Sequence, residues 1–277
     1  MGSRYRAFSA LCLSVVSVAA VTTACSSPSS TPDNSSSSPS SSSAPAPKEL
    51  RLEVVGTHPW DATSFTEGLE IEPDGRLLVG TGMTGQSRIY RTTVDGPQAD
   101  SQGLPGNFFG EGVTRVGDTV WEVTWHNGTA IRRNAADLKE TDRVQYPGEG
   151  WGLCNANGDV IMSNGTDVLS VRDANTFAEK RQIHVTNQGK PQPTLNELDC
   201  TGGEIYANLF PSANIARIDP ASGEVTGMID ASTLPNNGPK DNPDAVVNGI
   251  ARIPGTDRFF VTGKLWPDLY EVRVVDK

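Results

Sequence analysis

Short runs of alternating apolar and polar residues follow one another along most of the chain, each preceded by turn residues. The run at residues 76–79 follows Pro73-Asp74-Gly75, and the run at residues 119–123 follows Val116-Gly117-Asp118. Asx-Gly and Gly-Asp pairs between β-rich runs are typical of hairpin turns. No long apolar stripe with a 3.6-residue period competes with this pattern. It therefore predicts an all-β protein built from short antiparallel hairpins.

A motif recurs five times before these runs: a polar or bulky residue, usually a glycine, and then an aliphatic residue. The residues that mark the five copies are Glu67, Glu111, Trp151, Glu197 and Asn248, and successive markers lie 44, 40, 46 and 51 residues apart. A period of about 40–50 residues indicates a propeller or another repeat array. Three or four short strands in each copy favour the propeller. We therefore predict a five-bladed β-propeller over residues 50–277.

The predicted propeller would bring the five markers together. The first strand of each blade lines the central channel, so we expect marker residues at one height to converge at one mouth. The ends of the second strands add Trp125, an amide-rich turn at residues 163–166, and Lys264. Apolar walls with a few convergent polar groups are typical of a ligand site. The Pro- and Asn-rich loop at residues 233–245 is a candidate border of its entrance.

The first 49 residues indicate export and tethering. Residues 1–24 resemble a secretory signal, with an apolar run too short for a membrane span. The sequence Val21-Thr22-Thr23-Ala24-Cys25 resembles the lipobox of bacterial lipoproteins, although Thr22 replaces the usual aliphatic residue. Residues 25–49, rich in Ser, Pro and Ala, are predicted to form a disordered tether. We expect a cell-envelope protein lipidated at Cys25, with cleavage and secretion as the alternative.

Composition narrows the possible partners and cofactors. The net charge of −10 argues against nucleic acid and anionic lipid surfaces, so membrane contact is expected through the lipid anchor alone. The three histidines share no ligand spacing, and we expect no metal site. Cys154 and Cys200 each follow a marker by three residues. They are candidates for a disulfide, with two buried thiols as the alternative. We expect a monomer.

Several motifs resemble those of the plant- and bacterial-type glutaminyl-peptide cyclotransferases. The runs that carry the resemblance are Phe65-Thr66-Glu67-Gly68-Leu69, Phe109-Gly110-Glu111-Gly112, Gly150-Trp151-Gly152-Leu153, Leu195-Asn196-Glu197-Leu198, Asn248-Gly249-Ile250-Ala251 and Thr262-Gly263-Lys264-Leu265-Trp266-Pro267. The fourth and the last are the specific ones. The resemblance implies a five-bladed propeller that converts an N-terminal glutamine of a peptide or protein to pyroglutamate. It implies release of ammonia and no metal or other cofactor.

The resemblance also implies the pocket residues. The candidate catalytic residues are Glu111, Lys264 and Asn196. The candidate substrate-binding residues are Phe65, Glu67, Phe109, Trp125, Trp151 and Phe210. Two departures from the family bear on substrate preference. Glu67 stands where glutamine is frequent, and Phe210 stands where tryptophan is frequent.

These residue types suit the reaction. The substrate's α-amine attacks its own side-chain amide, and a fixed pose can supply about 7–11 kcal/mol. Glu111, whose pKa an aromatic pocket would raise, is the candidate that moves a proton from the amine to the departing ammonia. Lys264 or the Asn196 amide would stabilise the oxygen that gains charge, by about 3–4 kcal/mol. Trp125 and Trp151 would hold the aliphatic chain and exclude water.

Other interpretations stay open from the sequence alone. Glu67, Glu111, Asn196 and Asn248 are suited to calcium in a lactonase-like propeller, although Lys264 disfavours a cation there. A non-catalytic envelope propeller that binds peptides or glycans is a third class. Structural roles are also open: Glu111 would bind inner-strand amides, the tryptophans would pack between blades, and Asn196 would cap a turn. In that case Lys264 would be solvated.

Overall fold

The computed structural model describes residues 45–277, and every regular element among them is a β-strand. The strands are β1 Lys48–Pro59, β2 Thr66–Ile71, β3 Leu77–Thr81, β4 Arg88–Thr92, β5 Ala99–Gly103, β6 Gly110–Val116, β7 Thr119–Thr124, β8 Thr129–Asn134, β9 Glu140–Gln145, β10 Leu153–Ala156, β11 Asp159–Met162, β12 Val168–Asp173, β13 Glu179–His184, β14 Thr186–Asn187, β15 Lys190–Pro191, β16 Leu195–Thr201, β17 Glu204–Leu209, β18 Asn214–Ile218, β19 Val225–Asp230, β20 Val247–Arg252, β21 Arg258–Gly263 and β22 Asp268–Asp276. The described residues contain no helix of the length and hydropathy that a membrane crossing requires.

Antiparallel hairpins between consecutive strands build the sheets. Three sheets have four strands each, in the orders β2-β3-β4-β5, β6-β7-β8-β9 and β10-β11-β12-β13. A fourth sheet has eight strands, in the order β16-β17-β18-β19-β1-β22-β21-β20, and β14 pairs with β15. The first strand of the domain, β1, pairs antiparallel with β22 and parallel with β19. The prediction of an all-β fold made of short hairpins is confirmed.

One irregularity recurs in the first strand of four hairpins. The register of β2, β6, β16 and β20 shifts between Thr66 and Gly68, Gly110 and Val113, Leu195 and Leu198, and Val247 and Ile250. A bulge of this kind inserts an unpaired residue and can re-aim a side chain. Four of the five sequence markers, Glu67, Glu111, Glu197 and Asn248, lie inside these bulges.

Glycines beside the markers let the first strands of neighbouring sheets approach closely. Gly112 donates its N–H to the carbonyl of Trp151 at 2.6 Å. A Cβ at Gly112 would lie 2.4 Å from the amide nitrogen of Leu153. At Gly152 it would lie 2.2 Å from the carbonyl oxygen of Asn196. Side chains at these positions would push the sheets apart, so the glycine after the marker is a packing requirement.

Apolar side chains fill the layers between neighbouring sheets. In one layer, for example, the rings of Trp121 and Phe177 lie 4.7 Å apart and are almost fully buried. In another, Cys154 on β10 and Cys200 on β16 are joined by a disulfide with a Cα–Cα distance of 5.4 Å, which is within the usual range. The bond ties two sheets together across their shared core.

The N-terminal predictions fall mostly on residues that the structure does not describe. The signal at residues 1–24 and the lipidation of Cys25 lie outside the described residues, as does most of the tether at residues 25–49. The folded domain begins slightly earlier than predicted, because β1 starts at Lys48 rather than near Leu50.

Candidate active site

The described domain contains a cavity of about 300 Å³, at the lower end of the range for ligand sites. It lies where the first strands of the hairpins begin and the second strands end, positions that antiparallel pairing makes neighbours. Its lining residues are Phe65, Glu67, Met83, Phe109, Glu111, Trp125, Trp151, Asn196, Phe210, Asn242, Asp244 and Lys264. All nine residues that the sequence analysis singled out as catalytic or substrate-binding are brought together here.

Lys264 is held deep in the cavity by Glu67. Its Nζ donates to Oε1 of Glu67 at 2.8 Å, and their side chains are only 7% and 1% exposed. The same Nζ lies 4.9 Å from the ring centre of Phe65 and 4.7 Å from that of Phe210, within cation–π range. Oε2 of Glu67 accepts a hydrogen bond from Asn248 at 3.0 Å. Because an ammonium has three donors, Lys264 keeps donors for a ligand.

Glu111 shares this buried space with Glu67. Burial raises the pKa of Glu111 well above its usual range, and the Glu67 carboxylate raises it further, while Lys264 opposes the shift. Burial also raises the pKa of Glu67, against the opposing Lys264 ammonium. Two adjacent buried acids do not both ionise readily. Because Lys264 bonds directly to Glu67, the negative charge is favoured on Glu67 and the proton on Glu111.

Five aromatic side chains form the walls. Phe65 meets Phe109 edge-on at 6.0 Å, and Phe109 meets Trp125 edge-on at 5.5 Å. Trp151 meets Phe210 edge-on at 5.9 Å. Phe65 is placed by a backbone bridge to Lys264, so the aromatic wall and the ammonium are positioned by the same pairing. These contacts give the cavity an apolar surface that suits the methylene groups of a substrate.

Glu149 is a residue of the site that the sequence analysis missed. The indole Nε1 atoms of Trp125 and Trp151 both donate to its Oε2, each at 2.9 Å. Its Oε1 lies 3.1 Å from Nδ1 of His126, whose ring stacks on Trp125 with centres 3.5 Å apart. One carboxylate therefore fixes two walls. The other repeats gave no signal for it, because their equivalent positions hold Phe65, Phe109, Leu195 and Val246.

Asn196 lines the cavity and carries a buried polar atom without a partner in the described part of the chain. The residue is 2% exposed, and within the described domain its Oδ1 has no hydrogen-bond partner. Its backbone carbonyl accepts from the Ser163 hydroxyl at 2.7 Å. An unsatisfied buried amide costs roughly 1–3 kcal/mol, and a bound ligand can recover it. The side chain therefore caps no turn through Oδ1 within the described residues, and its role in binding stays a prediction.

The expectation that all five markers converge at one mouth is wrong for two of them. Glu197 and Asn248 do not line the cavity. Glu197 instead accepts backbone N–H bonds from Leu69 at 3.1 Å and Ile250 at 2.9 Å, which ties three first strands together. In the fourth repeat the bulge presents Asn196, one residue before the marker, to the cavity.

Three further residues line the cavity, one at the end of a second strand, where the repeats predict lining residues, and two from a loop without a repeat signal. Met83 follows β3, and Asn242 and Asp244 belong to the loop at residues 233–245 that the sequence made a candidate border of the entrance. Met83 and Asp244 are exposed, whereas Asn242 is half-buried. Among residues 45–277, no group of three His, Cys, Asp or Glu side chains is arranged to hold a metal ion.

The fold and the cavity together define an all-β protein with a preformed aromatic site and a buried acid. A family model described as Glutamine cyclotransferase matches residues 19–274. A glutaminyl-peptide cyclotransferase of Arabidopsis thaliana is 32% identical over 227 residues, covering 80% of this chain and 71% of that protein. The crystal structure of Myxococcus xanthus glutaminyl cyclase matches with a TM-score of 0.78 at 35% identity, covering 83% of this chain and 99% of that one. The chain belongs to the glutamine cyclotransferase family.

Proposed function

We propose that the chain is a glutaminyl-peptide cyclotransferase that closes an N-terminal glutamine to pyroglutamate, with Glu111 as its proton relay. The observation that carries the proposal is the convergence of Glu111, Lys264 and Asn196 in one aromatic cavity. A cavity of about 300 Å³ suits one terminal residue, with the rest of the peptide leaving through the opening. Family membership supports the reaction, and the geometry supports the assignment of roles.

The reaction moves one proton between two nitrogens of the substrate. The neutral α-amine attacks the Cδ carbonyl carbon, a C–N bond forms, and the attacking nitrogen must lose a proton. The bond from Cδ to the original amide nitrogen breaks, and that nitrogen takes a proton and leaves as ammonia. A protonated Glu111 carboxyl can give one proton to the leaving nitrogen and accept one from the amine, so it ends as it began. Its raised pKa supports this acid form.

The protonation states that the reaction requires determine how activity depends on pH. The substrate amine, with a pKa of about 7.7, must be neutral, so activity rises with pH through that value. Activity falls as Glu111 loses its proton, and burial and the Glu67 carboxylate move this fall to higher pH because both raise the pKa of Glu111. The kcat/KM profile, which reports the free amine, should therefore be bell-shaped, and the kcat profile should keep the alkaline limb set by Glu111 in the complex.

Lys264 and Asn196 serve the amide oxygen. Negative charge builds on that oxygen when the amine attacks, and a donor already in place stabilises it without reorganisation. The Nζ of Lys264 is fixed by Glu67 at 2.8 Å and retains two donors. The Asn196 side chain is buried beside the cavity, and its Nδ2 is the group that would donate to the oxygen. Together they hold the amide in the orientation that ring closure needs.

Glu149 is a positioning residue. It fixes the indoles of Trp125 and Trp151, each at 2.9 Å, in the places where they contact the glutamine methylene groups. Its charge also adds to the effects that raise the pKa of Glu111. Glu149 thus acts on the reaction through other residues, without touching the reacting atoms.

The fold proposal is a five-bladed β-propeller catalytic domain over residues 50–277. Its support is that the eight-stranded sheet divides into β16–β19 and the set β20, β21, β22 and β1, which with the three four-stranded sheets makes five similar units. In that arrangement β1 would close the ring beside the last strands. A solved structure of the domain, with its blades counted, is the direct test.

Export, the lipid anchor at Cys25 and the monomeric state remain predictions from the sequence. Labelling cells with a fatty-acid probe and comparing the wild type with Cys25→Ser tests the anchor. Loss of label in the variant supports lipidation, and unchanged label contradicts it. Sedimentation of the purified domain tests the monomer.

The activity is tested by ammonia release from a glutaminyl-alanine amide, with pyroglutamate followed by mass spectrometry. An asparaginyl-alanine amide is the matched control, since the same attack would require a strained four-membered ring. The proposal predicts equal amounts of ammonia and pyroglutamate from the first peptide and neither from the second, with or without EDTA. Activity lost to EDTA would favour the calcium-dependent lactonase-like alternative. Binding without turnover would favour the non-catalytic one.

A further inference from the structure

The opening of the cavity carries one uncompensated charge. Deep in the site, Lys264 is paired with Glu67 at 2.8 Å, and Glu111 favours its protonated form because burial and the Glu67 carboxylate raise its pKa. Lys264 is the only cationic side chain among the lining residues. Asp244 is exposed at the opening, and its carboxylate makes no hydrogen bond or ion pair within residues 45–277. A negative charge therefore faces whatever leaves the cavity.

The position of Asp244 is fixed by its neighbours along the loop. Its N–H donates to Oδ1 of Asn242 at 2.9 Å, and its carbonyl accepts from Val246 at 2.8 Å. Val246 in turn accepts from the backbone of Lys264 at 2.9 Å. The intervening Ala245 carbonyl accepts from the Trp266 indole at 3.1 Å. The carboxylate is thus presented on a backbone anchored beside the reaction site.

The two ends of the cavity differ in the solvent exposure of their lining residues. Glu67, Glu111 and Asn196 are at most 5% exposed, whereas Met83 is 37% exposed and Asp244 is exposed as well. The reacting glutamine belongs at the buried end, beside the acid and the ammonium. The residue that follows it then lies at the opening. Met83 adds apolar surface there, of the kind that accepts the stem of a long side chain.

We propose that Asp244 and Met83 form a subsite for the second residue of the substrate and favour lysine or arginine at that position. The inference rests on the proposed cyclotransferase function and specifies the class of substrate. A cationic side chain would lay its methylene stem near Met83 and place its charge near Asp244. An acidic second residue would meet a like charge.

The test compares kcat/KM for glutaminyl-arginine, glutaminyl-alanine and glutaminyl-glutamate amides. For an exposed pair, the arginine peptide should exceed the alanine peptide about two- to fivefold, with the glutamate peptide below both. In Asp244→Asn the arginine-to-alanine ratio should fall towards one. In the wild type, about 0.5 M NaCl should lower it as well. The matched control, Asp241→Asn, changes an exposed acid of the same loop that does not line the cavity, and it should keep the ratio.

Equal kcat/KM values for the three peptides, or a ratio that survives Asp244→Asn, would overturn the subsite. An equal loss with every peptide would also overturn it, because Asp244 would then serve the common α-amine. These results leave the cyclotransferase activity standing, since all three peptides would still release ammonia. Failure of every peptide to release ammonia would instead overturn the proposed function, and the subsite with it.

Discussion

Two sets of acidic residues on the first strands differ in what their oxygens contact. Glu67 and Glu111 line the cavity, and the ammonium of Lys264 and the space for a ligand lie beside them. Glu197 is equally buried, but its oxygens accept the backbone N–H groups of Leu69 and Ile250. Asp199 likewise accepts the N–H of Arg252 at 3.0 Å.

This difference distinguishes the acids that can take part in the reaction from the acids that hold the strands together. Backbone N–H groups occupy the oxygens of the second set and lock neighbouring sheets in register, so a ligand has nothing to replace. In the cavity set, Glu67 pairs with the side chains of Lys264 and Asn248, and within residues 45–277 no backbone N–H group bonds to the Glu111 carboxyl, which leaves its proton available to a substrate. Glu67, Glu111 and Glu197 are the same residue type and are all at most 5% exposed. The partner atoms therefore decide the role.

The largest expected effect is on turnover when the relay is removed. Glu111→Gln keeps the size and polarity of the side chain but cannot exchange the proton, so kcat should fall by about 10²–10⁴. Because no backbone bond to the Glu111 side chain is lost, the unfolding temperature should change little. Ammonia release and thermal unfolding measure the two quantities. A kcat within a few-fold of the wild type would contradict the assigned role.

Removal of the ammonium should have the next largest effect. Lys264→Met leaves an aliphatic chain of similar length but removes the donor to the amide oxygen, which predicts a loss of about 10²–10³ in kcat. It also leaves the buried Glu67 unpaired, so the double variant Lys264→Met, Glu67→Gln is the control for stability. If the double variant regains the wild-type kcat, Lys264 only neutralises Glu67 and does not act on the substrate.

The positioning role of Glu149 predicts a smaller loss. Glu149→Ala removes the acceptor of both indoles and should lower kcat/KM roughly tenfold, mainly through KM, as the misplacement of substrate contacts does. Glu149→Gln keeps an acceptor but removes a charge that raises the pKa of Glu111, so the alkaline limb of its kcat profile should move to lower pH. An unmoved limb in Glu149→Gln would show that this charge does not act on Glu111.

For Glu197, whose oxygens accept backbone N–H groups, substitution should affect the stability of the fold rather than turnover. Glu197→Gln keeps one acceptor and replaces the other oxygen by a donor that faces a backbone N–H. The free energy of unfolding should drop by about 1–3 kcal/mol. The activity of the folded fraction should stay within a few-fold of the wild type. Urea unfolding and active-fraction kinetics test this, and a variant of full stability without turnover would place Glu197 in the chemistry.

The smallest predicted effect is a dependence of the free energy of unfolding on pH. Burial raises the pKa of Asp199 to about 7 and that of Glu70 to about 8. Folded-state values above the unfolded ones mean that the folded state binds more protons. The stability that these two groups contribute is therefore fully present below about pH 4 and declines as pH rises towards 8. Asp199→Asn should flatten this slope in unfolding curves taken between pH 5 and 8.5. A slope of the opposite sign would contradict the assigned environments.

Repeat spacing was sufficient to predict the hairpins, because each turn and strand pair carries its own local signal. Spacing placed the markers at one mouth, and the resemblance to the cyclotransferases implied the nine catalytic and substrate-binding residues, all of which line the cavity. What the spacing predicted incorrectly was register: the bulge in β16 presents Asn196 rather than Glu197 to the cavity. A shift of one residue in a strand moves a side chain to the other face, and no periodicity in the sequence reports it.

The sequence did not predict certain contacts between repeats, and the reason is different. Glu149 binds Trp125 from another sheet, and Asp244 reaches the cavity from a loop with no counterpart in the other repeats. Glu149 has no hydrophobic pattern that indicates its role, and the sequence made the loop of Asp244 a candidate border of the entrance without singling out this carboxylate. Their roles arise only from the way neighbouring sheets pack, so a three-dimensional structure was needed to find them.

The most direct test of the account compares Glu111→Gln and Glu197→Gln in one buffer, with single-turnover cyclisation and urea unfolding measured on the same preparations. Both changes convert one buried first-strand glutamate to its amide. We predict a crossed result, in which the first variant loses turnover and keeps its stability while the second loses stability and keeps its turnover. Parallel losses in both variants, or the reverse pattern, would contradict the claim that partner atoms decide the role of a buried acid.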